Sequence, residues 1–104
     1  MPALPVLTVY TVPNCFDCAA VKNLLSEAGI PFREVDISRI PNSREALALL
    51  SGVRSAPQVF LGSRFLGQVA EVRYLVRSGK LAELLAEAGD ETHGRAGGEA
   101  PRGS

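Results

Sequence analysis

The sequence has few of the residues on which disulfide-rich miniproteins and metalloproteins depend. It has two cysteines, one histidine and one methionine among 104 residues, and no tryptophan. A secreted miniprotein held together by disulfides would carry more cysteines, spread along the chain. A structural zinc site needs four ligands, and the one histidine, His93, stands in a polar stretch far from the cysteines. Because zinc would need carboxylates or a second chain as further ligands, we expect no metal.

The chain also has no excess charge of either sign and no long hydrophobic run. Lys plus Arg and Asp plus Glu both number 11, so the formal net charge is zero, whereas a nucleic-acid-binding surface needs a basic excess. No apolar run approaches the roughly 20 residues that cross a bilayer. Residues 1–5 lack the charged region and cleavage site of a signal peptide. We therefore expect a cytoplasmic protein that binds neither nucleic acid nor membrane.

The chain does contain the apolar residues for one globular domain, at 46% of the composition. Strand-like patterns cover residues 6–11, 32–37, 57–61 and 64–66. The spacing of apolar residues predicts three helices, which begin near Phe16, at residues 41–43 and at Val69. A short last helix includes Leu81. The order β-α-β-α-β-β-α, followed by the last helix, predicts an α/β fold with a mixed four-stranded sheet and helices on both faces.

Local signals also mark turns and boundaries. Gly62 and Ser63 form a two-residue hairpin turn, and Asn42 followed by Glu45 resembles a capping box at the start of the second helix. From Gly89 onward large apolar side chains are almost absent, so this segment cannot offset the entropy of ordering. We predict one domain over residues 1–88 and a disordered tail over 89–104.

The feature that carries chemistry is the pair Cys15 and Cys18, between a predicted strand and a predicted helix. Their spacing puts the two sulfurs on adjacent helical positions within bridging distance. A dithiol redox site needs one thiol that ionises easily and a second that resolves the mixed disulfide. Cys15 lies at the positive end of the helix dipole, beside unpaired N–H groups, which favour its thiolate. Since Cys18 is one turn further in and more covered, we assign Cys15 as nucleophile and Cys18 as resolving thiol.

The neighbours of this pair modify that interpretation. Asp17 places a negative charge beside the Cys15 thiol, and this charge raises the pKa of the thiol. We therefore expect the Cys15–Cys18 couple to be more reducing than a typical dithiol site of this kind. Lys22, one turn after Cys18, is expected to point to solvent. The alternative is that both cysteines are ordinary buried thiols. The position of Cys15 at an exposed strand-to-helix turn disfavours this alternative. Phe16 fits either a core position or a contact for thiol partners.

The chain resembles the glutaredoxin family of the thioredoxin fold over residues 7–85. The similar segments are the approach to the cysteines, the family's threonine-valine-proline stretch, its hairpin with a following glycine and its last helix junction, at 10–15, 55–60, 62–67 and 77–81. The resemblance implies that Pro57 is cis and faces the cysteines. It also implies that the backbone of Ala56 pairs with the cysteinyl backbone of the substrate. The other interpretation of Pro57 is an ordinary proline at the start of a strand.

Two of the family's charged anchors for glutathione are missing. A lysine usually stands where this chain has Val12, and two glycines where it has Gly67 and Gln68. A serine or cysteine followed by aspartate usually stands where it has Val69 and Ala70.

Three further positions bear on the predicted binding site. Arg54 matches a common basic position of the family. It is either a contact for a substrate carboxylate or a solvated residue of a loop. Gln58 is a second candidate for that contact, or a side chain on the surface of a strand. Glu71 matches a second acidic position of the family.

The resemblance implies a monomeric thiol–disulfide oxidoreductase that reduces protein disulfides or glutathione mixed disulfides. We expect no bound cofactor, and glutathione is the candidate reductant. Thioredoxin reductase is the alternative donor, although the tryptophan-serine-glycine-phenylalanine signature of the small redoxin it reduces is absent. Two other functions stay open, namely an iron–sulfur cluster held between two chains by Cys15 and glutathione, and a partner-specific regulatory redoxin. The cluster role usually goes with a single active-site cysteine, and this chain keeps Cys18.

Overall fold

A computed structural model describes residues 6–94 of the chain and the side chains of residues 6–88. The elements follow the predicted order: β1 (Leu7–Thr11), α1 (Phe16–Glu27), β2 (Phe32–Asp36), a 3₁₀ turn (Ile37–Arg39), α2 (Ser43–Ser51), β3 (Gln58–Leu61), β4 (Arg64–Gly67), α3 (Val69–Ser78) and α4 (Lys80–Gly94). In the part of the chain so described, no helix is both long and apolar enough to pass through a membrane.

The four strands form one mixed sheet in the order β2-β1-β3-β4. β1 and β2 are parallel, as a connection through a helix requires, and Leu7 lies opposite Phe32. β3 runs antiparallel to β1, where Val9 lies opposite Val59, and the β3–β4 hairpin has an irregularity between Val59 and Phe60. The predicted mixed four-stranded sheet is confirmed.

Each face of the sheet is covered by its own apolar cluster. One cluster joins β1 and β3 to α1, α3 and the start of α4, and its fully buried members include Val21, Val72 and Leu81. The other joins β3 to α2 and the 3₁₀ turn through Phe60, Leu47 and Ile37. Adjacent strand residues point to opposite faces, so Val59 and Phe60 enter different clusters. The prediction of helices on both faces is therefore confirmed.

The C-terminal boundary differs from the predicted one. α4 continues through Gly94, so residues 89–94 belong to a helix and not to a disordered tail. Alanine, leucine and glutamate dominate residues 82–88, and these are strong helix formers. A single glycine such as Gly89 costs a helix only about 1 kcal/mol relative to alanine, which does not stop it. Residues 95–104 of the predicted tail, and 1–5 of the predicted domain, lie outside the described residues.

The predicted capping box at the start of α2 is wrong. Asn42 is the N-cap residue, but it has a left-handed backbone with φ of 60° and makes no side-chain capping hydrogen bond. An N-cap side chain normally reaches the helix from an extended backbone. Instead, the Ser43 hydroxyl donates to the carbonyl of Ile37 at 2.8 Å. The capping box occurs at α3, where Gln68 and Glu71 satisfy each other's backbone N–H groups.

Candidate active site

The turn between β1 and α1 presents the first cysteine at the start of the helix. Asn14 takes a left-handed backbone with φ of 57°, and Cys15 follows as the N-cap of α1 with an extended backbone. The backbone N–H of Cys18 donates to Cys15 Sγ at 3.1 Å. The sulfur therefore stands where an N-cap oxygen usually stands, at the positive end of a 12-residue helix.

The two sulfurs differ in accessibility. Cys15 is half-buried, whereas Cys18 is only 2% exposed. They are joined as a disulfide with their Cα atoms 5.2 Å apart, inside the usual range for such bridges. The prediction that this spacing permits a bridge is confirmed. A partner that approaches from solvent meets the sulfur at the helix start first.

One groove beside the pair is formed by residues of β1, α1 and β2. The Thr11 hydroxyl donates to Glu34 Oε2 at 2.9 Å, and Lys22 Nζ lies 3.0 Å from the same oxygen. The hydrogen bonds from Lys22 and Thr11 hold the pKa of Glu34 below its ordinary value of 4.5. The Lys22 side chain is 35% exposed and lines the same groove as Cys18, so this partly exposed side chain is held by an ion pair beside the cysteines.

We expect the Lys22–Glu34 ion pair to contribute little stability, and only above acidic pH. The Glu34 side chain is 41% exposed, so solvent screens the pair and its contribution is below about 1 kcal/mol. Because the folded pKa lies below the unfolded one, this contribution is present above pH 4.5 and is lost as the pH falls through the folded pKa. Glu34→Gln should therefore lower the free energy of unfolding slightly at pH 7.

Urea denaturation at pH 7 and at a pH well below 4.5 checks this expectation. The difference between Glu34→Gln and wild type should vanish in acid. Glu27→Gln, an exposed position at the end of α1, is the matched control. An undiminished difference in acid would contradict the assignment of the ion pair as its source.

A second groove is formed by the loop before β3 and the start of α3. The Ala56–Pro57 peptide bond is cis, as predicted. Both residues line this groove together with Asp17, which stands between the two cysteines in the sequence. Ala56 is half-buried and Pro57 is buried. The structure thus brings two of the predicted substrate-binding residues to the same side of the cysteine pair.

Gln58 occupies a different place from the predicted one. Its side chain is fully buried, and its amide nitrogen donates to the carbonyls of Val53 at 2.7 Å and Ser55 at 3.1 Å. These bonds use both amide hydrogens. In this conformation Gln58 cannot touch a substrate, and it supports the loop that precedes the cis-proline from inside the protein.

The remaining two predicted contacts are both exposed. Phe16 is 90% exposed beside Cys15, so the interpretation of Phe16 as a core residue is wrong, and its contact with thiol partners stays a prediction. Arg54 forms an ion pair with Glu45 at 3.0 Å, and both side chains are about 60% exposed. In this structure Arg54 therefore binds the carboxylate of Glu45, not one from a substrate.

Gln68 is a site residue that the sequence does not predict. Its amide nitrogen donates to the carbonyls of Ser55 and Pro57, each at 3.0 Å, and so connects α3 to the cis-proline loop. In the sequence, Gln68 is notable only because the family usually has a second glycine at this position, after Gly67. No spacing rule signals a bond between residues 13 positions apart. Among the residues that the structure describes, no three His, Cys, Asp or Glu side chains gather as metal ligands.

The sequence and the fold of this chain are similar to those of known proteins. The glutaredoxin family model matches residues 7–66. A glutaredoxin of Neisseria meningitidis serogroup B is 40% identical over 82 residues, which cover 76% of this chain and 94% of that protein.

Solved structures agree with this match. The solution structure of glutaredoxin from Brucella melitensis has a TM-score of 0.69 and 37% identity, and the match covers 82% of this chain and 94% of that one. A buckwheat glutaredoxin–glutathione complex has a TM-score of 0.72 and 28% identity, and covers 82% of this chain and 80% of that one.

Proposed function

Because this chain belongs to the glutaredoxin family, we propose that it reduces protein disulfides or glutathione mixed disulfides through Cys15 and Cys18. One observation carries the proposal: the accessible Cys15 sulfur accepts the backbone N–H of Cys18 at the start of α1, while Cys18 is buried behind it. A hydrogen-bond donor and a helix dipole directed at one sulfur stabilise its thiolate. Cys15 is therefore the nucleophile and Cys18 the resolving thiol.

The reaction is a pair of thiol–disulfide exchanges. The Cys15 thiolate attacks one sulfur of the substrate, the substrate S–S bond breaks, and a mixed disulfide forms as the first substrate thiolate leaves. The Cys18 thiolate then attacks the Cys15 sulfur, releases the second substrate thiolate and closes the Cys15–Cys18 disulfide. The two electrons and two protons of the dithiol end on the two substrate thiols.

The groove that contains the cis-proline is the proposed place for the substrate's cysteine. An extended segment that lies along Ala56 can pair with its backbone as an added strand would. Phe16 offers an exposed apolar surface beside the nucleophile. Arg54 is available for a substrate carboxylate only if its ion pair with Glu45 opens, so we place it at the edge of the binding site.

Glutathione is the proposed electron donor. Two glutathione thiols restore the dithiol by the same exchange in reverse and leave as glutathione disulfide. Family membership and the likeness to a glutaredoxin solved with glutathione support this choice. Thioredoxin reductase remains the alternative donor, because the uncharged Val12 and Ala70 replace two of the family's charged anchors.

Stoichiometric thiol release tests the proposal. The reduced protein is mixed with a glutathione mixed disulfide of a small peptide and, separately, with a disulfide-bonded protein. We expect about one disulfide reduced per chain, with the loss of two hydrogens from Cys15 and Cys18 detected by mass spectrometry. Excess glutathione with glutathione reductase should then give turnover, and thioredoxin reductase serves as the comparison. No thiol release from either substrate would overturn the proposal.

A further inference from the structure

The Gln68 side chain spans the groove between α3 and the cis-proline loop. Its amide nitrogen lies 3.0 Å from the Ser55 carbonyl, 3.1 Å from the Ser55 hydroxyl and 3.0 Å from the Pro57 carbonyl. The Ser55 and Pro57 carbonyls stand immediately before and after Ala56 in the chain. One side chain therefore holds the backbone on both sides of the residue at which the substrate is proposed to pair.

Gln68 is itself held in place at the start of α3. The Gln68 backbone N–H donates to Glu71 Oε1 at 2.9 Å, and its side chain accepts the Glu71 backbone N–H. Gly67 permits this arrangement, because its φ of 139° lies in the region that favours glycine and an added Cβ would overlap Glu71 Cβ. The amide oxygen of Gln68 is thus used within α3, and its N–H groups remain for the loop.

The loop is held from its buried side as well. The Gln58 amide donates to the carbonyls of Val53 and Ser55, so the Ser55 carbonyl accepts from both glutamines. Gln58 belongs to β3 and is fully buried, whereas Gln68 is half-buried and lines the groove. Of the two glutamines, Gln68 is therefore the one that a substitution can alter without opening the core.

We propose that Gln68 is the positioning residue of the substrate-docking loop. It holds the Ser55 and Pro57 carbonyls so that the Ala56 peptide unit is already in the geometry that an extended substrate segment requires. Preorganisation of this kind lowers the entropy lost on binding. The inference rests on the proposed function, and it assigns Gln68 an effect on substrate binding with no part in the exchange chemistry.

Gln68→Glu is the sharpest test. The glutamate keeps an oxygen for the Glu71 N–H, but at neutral pH it has no hydrogen to donate to the two carbonyls. We expect KM for a disulfide-bonded peptide to rise about tenfold, the effect of losing roughly 1.4 kcal/mol of binding. kcat should stay within about twofold. In Gln68→Ala, which adds no charge to the groove and touches no reacting atom, the reduction potential of the Cys15–Cys18 pair should not change.

A pH profile separates positioning from a general structural defect. When the introduced carboxyl is protonated it regains one donor, so the KM ratio of Gln68→Glu to wild type should fall as the pH is lowered. Gln68→Ala should raise KM at every pH with no such recovery. Arg77→Ala, at the exposed far end of α3, is the control and should leave KM unchanged.

The outcomes for this inference and for the proposed function differ. Wild-type protein that releases no thiol from any disulfide overturns the proposed function. Active wild type with an unchanged KM in both Gln68 variants overturns the positioning role. A Gln68→Glu variant with raised KM that shows no pH-dependent recovery also overturns it, since the loss would not come from the missing donor.

Discussion

Cys15→Ser is expected to abolish disulfide reduction, with a loss in kcat/KM of at least about a thousandfold, equal to roughly 4 kcal/mol of transition-state stabilisation. The thiolate is the nucleophile in disulfide exchange, and a serine hydroxyl at the same N-cap position does not ionise near neutral pH. Serine is also a good N-cap residue, so the fold of α1 should persist. Thiol release from a glutathione mixed disulfide measures the loss, and circular dichroism checks the fold.

Cys18→Ser is the matched variant, because it removes only the resolving thiol. Cys15 should still attack, so a mixed disulfide with the substrate should accumulate and appear as an added mass on the chain. An external thiol such as glutathione can release it by attacking the same bond. Near wild-type activity of Cys15→Ser would contradict the assigned roles. So would the absence of any mixed disulfide in Cys18→Ser.

Phe60→Ala is expected to lower the free energy of unfolding by about 3–5 kcal/mol. Phe60 is 1% exposed, and its ring meets Tyr10 edge-on at 5.5 Å and Phe65 at 5.3 Å between ring centroids. Among the described residues, the cluster on this face has two other buried members, Ile37 and Leu47, and partly buried side chains that include Tyr10 and Phe65 pack against it. Loss of the ring removes these contacts and leaves a cavity at the centre of the cluster.

Phe16→Ala is the matched control, because it makes the same substitution at a side chain that is not packed in the core. Phe16 is 90% exposed, so we expect its effect on stability to stay within about 0.5 kcal/mol. Urea denaturation at 25 °C compares both variants with wild type. Since small domains are stable by only about 5–15 kcal/mol, the Phe60 variant should show a markedly lower midpoint. A loss below about 1 kcal/mol would contradict the role of Phe60 as the centre of this cluster.

Most of the fold follows from local patterns in the sequence. Gly29 follows the end of α1 with a left-handed φ of 73°, a local helix-stop signal that needs no tertiary information. Gly62 with Ser63 predicts the hairpin for the same reason. The failures have local causes too. The helix-forming residues before Gly89 carry α4 past a glycine, and the left-handed backbone of Asn42 removes a capping bond that its sequence suggests.

The site also has one part that local sequence predicts and one part that depends on tertiary contacts. Cys15 and Cys18 are predictable because strand, turn and helix place them within one short segment. The contacts around them join residues that are distant in sequence, as between Lys22 and Glu34 or between Gln68 and Ser55. Side-chain bonds across 12 or 13 positions depend on how the elements pack, which periodicity does not encode. The same limit hid the burial of Gln58 behind the cis-proline loop.

The hydrogen bond from the Cys18 N–H to the Cys15 sulfur also links helix stability to electron affinity. The bond is stronger when the sulfur is an anion than when it is neutral, so the first turn of α1 is most stable in the reduced, ionised protein. By thermodynamic linkage, a change that strengthens this cap more in the thiolate than in the disulfide favours the dithiol. A tighter cap therefore makes the protein a poorer electron donor, and a looser one makes it a better donor. The beginning of a single helix thus determines how readily electrons leave this protein.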